Sequence, residues 1–320
     1  MNDWYAIAGG LFLLAIGAEI LIRGATALAR QFGVSELLIG LTLVGFGTST
    51  PELVSSVQAA LAGSPGVAVG NVVGSNIANI LFILGLSAAI SPFTIDQRAF
   101  RRDGFVCLAA TLAVVGVSMT GEFGRTAGFA FLAAIAAYIA FAFLSERRDP
   151  QSPLTGQHLE EAAKVQGPKA IWLDIVMALS GLALLVFGAR FLVTGAINIA
   201  ASLGVSETII GLTVVAIGTS LPELVTSIMA AVRGKSALAL GNVVGSNIYN
   251  LLGILGVTAA IKPVAVPKEI AAFDIWVMLG ATLLMMLFAM SKSRISRAEG
   301  VLLAVCYALY VGWLVAGALK

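Results

Sequence analysis

The sequence predicts an all-α polytopic membrane protein, with ten transmembrane helices in a five-plus-five inverted repeat and both termini extracytoplasmic. Three observations carry that reading: the composition, the spacing of the apolar runs and an internal duplication. Of the 320 residues, 59% are hydrophobic and 11% charged, and the mean hydropathy is +0.98. A water-soluble chain of this length carries more charge than that. Thirty-five glycines without a G-X-Y period suit closely packed membrane helices better than collagen or disorder. The net charge of +2 leaves no nucleic-acid footprint, because the basic residues lie in short clusters between apolar runs. Cys107 and Cys306 both fall in apolar segments and read as small buried side chains, not as a disulfide or a metal site.

Apolar runs of about 20 residues, the length that crosses a bilayer, fall near 4–29, 36–62, 67–90, 104–120 and 126–145, and again near 171–199, 206–232, 238–261, 270–290 and 299–318. The first is long, has no basic stretch ahead of it and no cleavage site, so it reads as a retained helix and not a signal peptide. With Arg23 and Arg190 set aside as too deep to assign, thirteen basic residues fall on one face: Arg30, Arg98, Arg101, Arg102, Arg147, Arg148, Lys164, Lys169, Arg233, Lys235, Lys292, Arg294 and Arg297. Four fall on the other: Arg125, Lys262, Lys268 and Lys320. The excess marks the cytoplasmic face and puts both termini outside. Residues 1–146 then form the first five-helix half and 170–320 the second. The charged link between them, 147–169, contains the only histidine, His158, and is expected to be a solvated cytoplasmic connection too short for a regulatory domain.

The two halves repeat one another. VSELLIGLTLVGFGTSTPELVSSV from Val34 matches VSETIIGLTVVAIGTSLPELVTSI from Val205 at sixteen of 24 positions. GNVVGSNIAN from Gly70 matches GNVVGSNIYN from Gly241 at nine of ten, and both matches share an offset of 171. Five spans is an odd number, so the second copy crosses the membrane in the opposite sense. The link from Gly63 to Gly66 is uncharged whereas its counterpart carries Arg233 and Lys235, as inversion requires. Inverted repeats whose polar blocks meet near the midplane are the usual layout of alternating-access transporters.

The polar blocks hold the chemistry. Glu52 and Glu223 lie deep in the second and seventh spans, where a lone carboxylate costs several kcal/mol. These blocks contain no lysine, arginine or histidine at comparable depth, so a bound cation or a proton is the natural partner. Thr48 and Glu52 are four apart and share a helix face with Ser49 beside them; Thr219, Ser220 and Glu223 repeat the arrangement. Pro51 lacks an N–H and frees the carbonyl of Gly47, as Pro222 does for Gly218, while Gly45 and Gly47 keep that wall thin. Asn71, Ser75 and Asn79 form one polar stripe at i, i+4, i+8, as do Asn242, Ser246 and Asn250. Asn76 and Asn247 lie to the side and are expected to hydrogen-bond neighbouring broken helices. Together these groups make a hard-oxygen cage suited to Ca²⁺ or Na⁺, with no thiol or imidazole to favour zinc or copper. Elsewhere, Glu36 and Glu207 follow V-S and read as first-turn residues beneath serine caps. Asp174 and Asp274 take the same first-turn reading, and Glu19, whose repeat counterpart is Arg190, reads as an end-of-helix interaction.

GTSTPELVSS with GNVVGSNIAN, and GTSLPELVTS with GNVVGSNIYN, resemble the two alpha-repeats of the cation/calcium antiporter superfamily, in particular its prokaryotic sodium/calcium exchangers. The resemblance covers essentially the whole chain in span number and repeat order. It implies a transport site built by spans 2, 3, 7 and 8, with spans 1 and 6 sliding against that core. It implies that Glu52 and Glu223 are central calcium ligands that also serve flanking sodium sites, and that Thr48, Ser49, Thr219 and Ser220 supply hydroxyl or carbonyl oxygens. By the same resemblance Ser75 and Ser246 line the sodium sites, the carbonyls of Gly45 and Ala216 stand at the two ends, and Asn79 and Asn250 close a central polar diamond. The family commonly has Asp where this chain has Asn250, so a third central acid is absent. The added acids of potassium-dependent relatives, and those that proton-coupled relatives carry in the GNVVGSN block, are absent too.

The expected function is secondary antiport of Ca²⁺ against Na⁺, with protons in place of sodium as the alternative on the same scaffold and a passive cation channel as a more distant one. Transported Ca²⁺ and Na⁺ in the central site are the expected ligands, with no cofactor, no enzyme activity and no nucleic-acid partner. A monomer in the lipid bilayer of a prokaryotic plasma (inner) membrane is the expected setting.

Overall fold

Long apolar runs punctuated by proline, glycine and serine become helices that end where those residues stand. The computed structural model describes residues 3–32, 34–147, 168–202, 216–291 and 293–318. In chain order the helices are α1 (Asp3–Phe32), α2 (Glu36–Thr48), α3 (Thr50–Leu61), α4 (Pro65–Ile90), α5 (Gln97–Ser118) and α6 (Arg125–Arg147). They continue with α7 (Pro168–Ser202), α8 (Ala216–Thr219), α9 (Leu221–Val232), α10 (Ser236–Ile261), α11 (Ile270–Ser291) and α12 (Arg297–Ala318). Among the described residues seven helices are long and apolar enough to cross a membrane, or eight with α2 and α3 taken as one bent span. Most of the expected link, with His158, and the start of the expected span 206–232, with Glu207, lie outside the described residues.

Local chemistry sets the boundaries. Ser35 Oγ accepts from the Leu38 N–H at 3.0 Å and starts α2 as expected. Pro51 and Pro222 sit in the first turns of α3 and α9, where a missing N–H breaks no helical bond. The helices break just before them, at Ser49 (φ −82°, ψ 10°) and Ser220 (φ −90°, ψ 9°), and α2 meets α3 at a 45° bend. The span expected near 104–120 starts earlier, at Gln97, because Asp96 accepts from the Arg98 N–H at 2.9 Å and caps the helix. The charges inside α5 are matched: Arg102 grips Asp103 through hydrogen bonds of 2.6 and 2.9 Å, and Tyr138 of α6 donates to the same carboxylate at 2.9 Å.

The two halves interlock. Four short strands, β1 (Phe93–Thr94), β2 (Glu122–Phe123), β3 (Val264–Ala265) and β4 (Arg294–Ile295), pair antiparallel as β1 with β4 and β2 with β3. α6 packs on α10 with Gly128 against Gly256, and α12 packs on α4 with Gly300 against Gly85, so each contact crosses between halves. Thr111 of α5 and Thr282 of α11, one repeat apart, face each other with hydroxyls 3.4 Å apart. A longer seam joins α1 to α7, where Gly10, Gly17 and Gly24 recur every seven residues and Gly181, Gly188 and Gly195 repeat them 171 residues on. A Cβ placed on Gly17 would lie 2.9 Å from the Gly181 carbonyl oxygen. Lipid gives apolar helices no hydrophobic reason to associate, so this close backbone approach supplies the packing. The centre of the molecule is α4 and α10, 72% and 78% buried against 11% for α12, and these two carry the GNVVGSN blocks. Phe12, Phe129, Leu287 and Leu309 stay more than half exposed, the kind of surface a bilayer covers.

Candidate ion-binding site

The breaks before α3 and α9 bring Glu52 and Glu223 into the first turns of those helices, against α4 and α10, where they are 1% and 2% exposed. Ser49 Oγ donates to Glu223 Oε1 at 2.8 Å, and Ser220 Oγ donates to Glu52 Oε1 at 3.4 Å. Each carboxylate is therefore held by the serine at the break of the other half. The second oxygens, Glu52 Oε2 and Glu223 Oε2, are buried with no hydrogen-bond partner among the described residues. A buried carboxylate oxygen left so is costly, and a cation or a proton relieves that cost.

Two amides fix these carboxylates in place. Asn71 Nδ2 donates to the Glu52 carbonyl at 3.1 Å and to Ser56 Oγ at 2.8 Å; Asn242 Nδ2 donates to the Glu223 carbonyl at 3.3 Å and to Ser227 Oγ at 2.8 Å. Each stripe thus divides by role, with its first asparagine tying the glutamate's backbone to the central helix. Ser246 Oγ donates to the Gly45 carbonyl at 3.2 Å, an approach that needs glycine because a Cβ at Gly45 would lie 2.9 Å from the Ser246 nitrogen. Thr48 Oγ1 lies 3.0 Å from the Val44 carbonyl, 3.3 Å from the Gly45 carbonyl and 3.3 Å from Asn242 Oδ1. Ser75 is buried and Thr219 half-buried, both on cavity walls, and Ala216 opens α8.

The two side asparagines depart from expectation. Asn76 Nδ2 donates to the Val72 carbonyl of its own helix at 2.7 Å, and Asn247 Oδ1 accepts from Asn79 Nδ2 at 3.1 Å. Both are buried, and among the described residues Asn76 Oδ1, Asn79 Oδ1, Asn247 Nδ2 and both polar atoms of Asn250 have no partner. Asn76 thus bonds its own helix and Asn247 the facing central helix, not the broken helices expected. Two π-helical stretches follow them, at Ala78–Leu84 and Tyr249–Ile254, and these hold Asn79 and Asn250. Among the described residues no group of three or more His, Cys, Asp or Glu side chains is placed to hold a metal.

Two cavities lie beside the pair, on the side of the Gly63–Gly66 link. A cavity of about 440 Å³ lies between α3 and α7, lined by Pro51, Ser55, Arg190 and Thr219 among others. A second, also about 440 Å³, is lined by Ser55, Asn71, Ser75, Ser220 and Asp274 and shares Thr219 with the first. At the opposite end α1 packs against α9, and ion pairs close the contact: Arg233 with Glu19 at 2.8 Å and Lys235 with Glu36 at 2.6 Å. Glu19 also pairs with Arg23 at 2.7 Å within α1; it sits mid-helix, not at a helix end as expected, and reaches α9 through Arg233, while Arg190 lines a cavity. Glu36 likewise does more than occupy a first turn.

Residues 3–144 and 173–316 match the family described as sodium/calcium exchanger protein. The chain belongs to this family. The exchanger is 36% identical over 305 residues to the putative antiporter CaxA of Alkalimonas amylolytica, with 94% of this chain and 95% of that one covered. It is 33% identical over 338 residues to the sodium/calcium exchanger MaX1 of Methanosarcina acetivorans, at 94% and 95% coverage. Its fold is similar to a solved structure of the sodium-calcium exchanger NCX_Mj soaked with 2.5 mM Na⁺ and 0.1 mM Ca²⁺, with a TM-score of 0.84, 31% identity and 98% of each chain covered. The exchanger is thus a multi-pass helical membrane protein of a cation/calcium exchanger family, whose relatives are transporters and not enzymes. Glu52 and Glu223 fall one in each matched segment.

Proposed function

We propose that this exchanger is a secondary antiporter that moves Ca²⁺ against Na⁺ by alternating access. The observation that carries the reading is the crossed pair, Ser49 on Glu223 and Ser220 on Glu52, with one buried oxygen of each carboxylate left unpartnered. Two carboxylates balance one Ca²⁺ or two Na⁺, and an empty pair is costly in a low dielectric. The unloaded protein therefore resists crossing between its two open states, which couples the ions. Glu52 and Glu223 hold the central charge; Thr48, Ser49, Thr219 and Ser220 add oxygens; Asn79 and Asn250 complete the centre. Ser75 and Ser246 serve flanking sodium positions, with the carbonyls of Ala216 and Gly45 at the two ends. The contact of Ser246 with the Gly45 carbonyl supports that pairing at one end.

The transporting unit in this reading is a monomer with ten spans in a five-plus-five inverted repeat, its halves 1–146 and 170–320 joined by a cytoplasmic link at 147–169 and both termini outside. Matching amide bonds at Asn71 and Asn242, the exchanged strand pairs and the Thr111–Thr282 contact support it, as all recur near one sequence offset. Cavities on the side of the Gly63–Gly66 link, with α1 packed on α9 at the other end, support an outward-facing form in this reading. The inner membrane protein YrbG of Escherichia coli, 35% identical over 312 residues, supports a prokaryotic plasma membrane as the setting.

Vesicles loaded with ⁴⁵Ca²⁺ and given either a sodium or a proton gradient test the reading. Sodium-driven efflux that disappears in Glu52→Gln and in Glu223→Gln is expected. Proton-driven efflux without sodium would establish the proton-coupled alternative, which the absent third acid at Asn250 keeps in view. A leak independent of either gradient would establish a channel, and unchanged exchange in both variants would remove the proposed site.

A further inference from the structure

The repeat relates Asp103 to Asp274 and Arg102 to Phe273. Both aspartates accept a hydrogen bond from a tyrosine on the next helix, Asp103 from Tyr138 at 2.9 Å and Asp274 from Tyr310 at 2.7 Å. Their surroundings then diverge. Asp103 is 1% exposed and neutralised by Arg102, so it serves as a staple between α5 and α6. At the second copy the arginine's place is taken by Phe273, whose ring packs on Trp313 with centroids 4.0 Å apart and on Tyr310 at 6.4 Å. No lysine or arginine pairs with Asp274 among the described residues. Its side chain instead lines the cavity that Ser75 and Ser220 also line, so it is more than the first-turn residue its position suggests.

We propose that Asp274, oriented by Tyr310, is a cation-holding site in this access cavity, where an arriving Ca²⁺ or Na⁺ pauses on its way to the central carboxylates. A carboxylate without a protein counter-charge, in a confined cavity with low-dielectric walls, concentrates cations beside it. A single carboxylate holds a hydrated ion weakly, unlike the six to eight oxygens that retain Ca²⁺ in a finished site, so the ion moves on. The arginine that cancels Asp103 confines the device to one half and hence to one face of the membrane. The onward path rests on the proposed transport function; the site itself does not.

Tb³⁺, a Ca²⁺ stand-in whose emission is sensitised by nearby tyrosine, tests the site in the full detergent-solubilised chain. In a Glu52→Gln, Glu223→Gln background, saturable Tb³⁺ emission that Ca²⁺ displaces is expected, and adding Asp274→Asn should abolish it. Asparagine still offers Tyr310 an acceptor, and an unchanged melting temperature separates loss of the site from loss of the fold. Emission indifferent to Asp274→Asn overturns the proposal. In vesicles, with Ca²⁺ supplied to the face where the cavity opens, Asp274→Asn should raise half-saturating Ca²⁺ several-fold with the maximal rate kept. An unchanged half-saturation overturns the relay role. A parent that shows no exchange refutes the transport reading alone, because the Tb³⁺ measurement needs no transport.

Discussion

Ser49 Oγ lies 2.8 Å from Glu223 Oε1, whereas its counterpart Ser220 Oγ lies 3.4 Å from Glu52 Oε1. The crossed pair is tight on one side and long on the other. A hydrogen bond to a charged group contributes about 1.5–3 kcal/mol, and a long one less. Ser49→Ala is therefore expected to raise half-saturating Ca²⁺ by about tenfold or more. Ser220→Ala should cost less, and equal losses in ⁴⁵Ca²⁺ exchange would refute the asymmetry.

Asn242 and Asn250 share a stripe but not a task. Asn242 ties the Glu223 carbonyl and Ser227 to α10, whereas neither polar atom of Asn250 has a partner among the described residues. Asn242→Ala should lower unfolding stability by about 1–3 kcal/mol because it strands buried polar groups. Asn250→Ala should leave the melting temperature nearly unchanged and weaken ion binding, which thermal unfolding with and without Ca²⁺ would resolve.

The end opposite the cavities carries the Arg233–Glu19 and Lys235–Glu36 pairs. Arg233 is 55% exposed, so its pair contributes no more than about 1 kcal/mol, a factor of about five in a two-state population. Arg233→Ala should accelerate thiol labelling of a Met229→Cys probe on α9, in a background with Cys107 and Cys306 replaced, by up to that factor. Arg190→Ala, in the cavity wall, should not. No acceleration would show that packing alone keeps this end shut.

The α1–α7 seam has no room for a methyl group. Gly17→Ala should cost about 1–3 kcal/mol by overpacking. Gly9→Ala should be harmless, because a Cβ there meets nothing within 4 Å. Thermal melts of the two variants compare them directly.

The parts of the site legible in the sequence are those with few physical outcomes. A proline and a carboxylate inside an apolar run, Pro51 beside Glu52, leave little choice beyond a broken helix with a buried charge at its start, and the duplication announced the second copy. The parts that were not legible depend on what meets across the halves. Asn71 turns to the Glu52 carbonyl and Asn247 to Asn79, and neither follows from spacing along one helix. The early start of α5 was hidden because hydropathy counts Arg102 and Asp103 as charges, while the fold pairs them and adds Tyr138. Asp274 and Glu19 read as helix-end residues until segments remote in sequence, Tyr310 and Arg233, arrived beside them.

The strand pairs and the contacts of α6 on α10 and α12 on α4 stitch the later helices of each half to those of the other, whereas α1 and α7 bind mainly each other. A covalent link between α1 and α7 should therefore leave exchange intact, and one between α1 and α9 should stop it. The line along which the ancestral gene was copied and the line along which the machine divides do not coincide; they cross. Each copy donates one helix to a shared plank and the rest to a shared frame, so in the proposed alternating-access cycle one tilt of the plank would widen one doorway as it narrows the other, like the two ends of a seesaw.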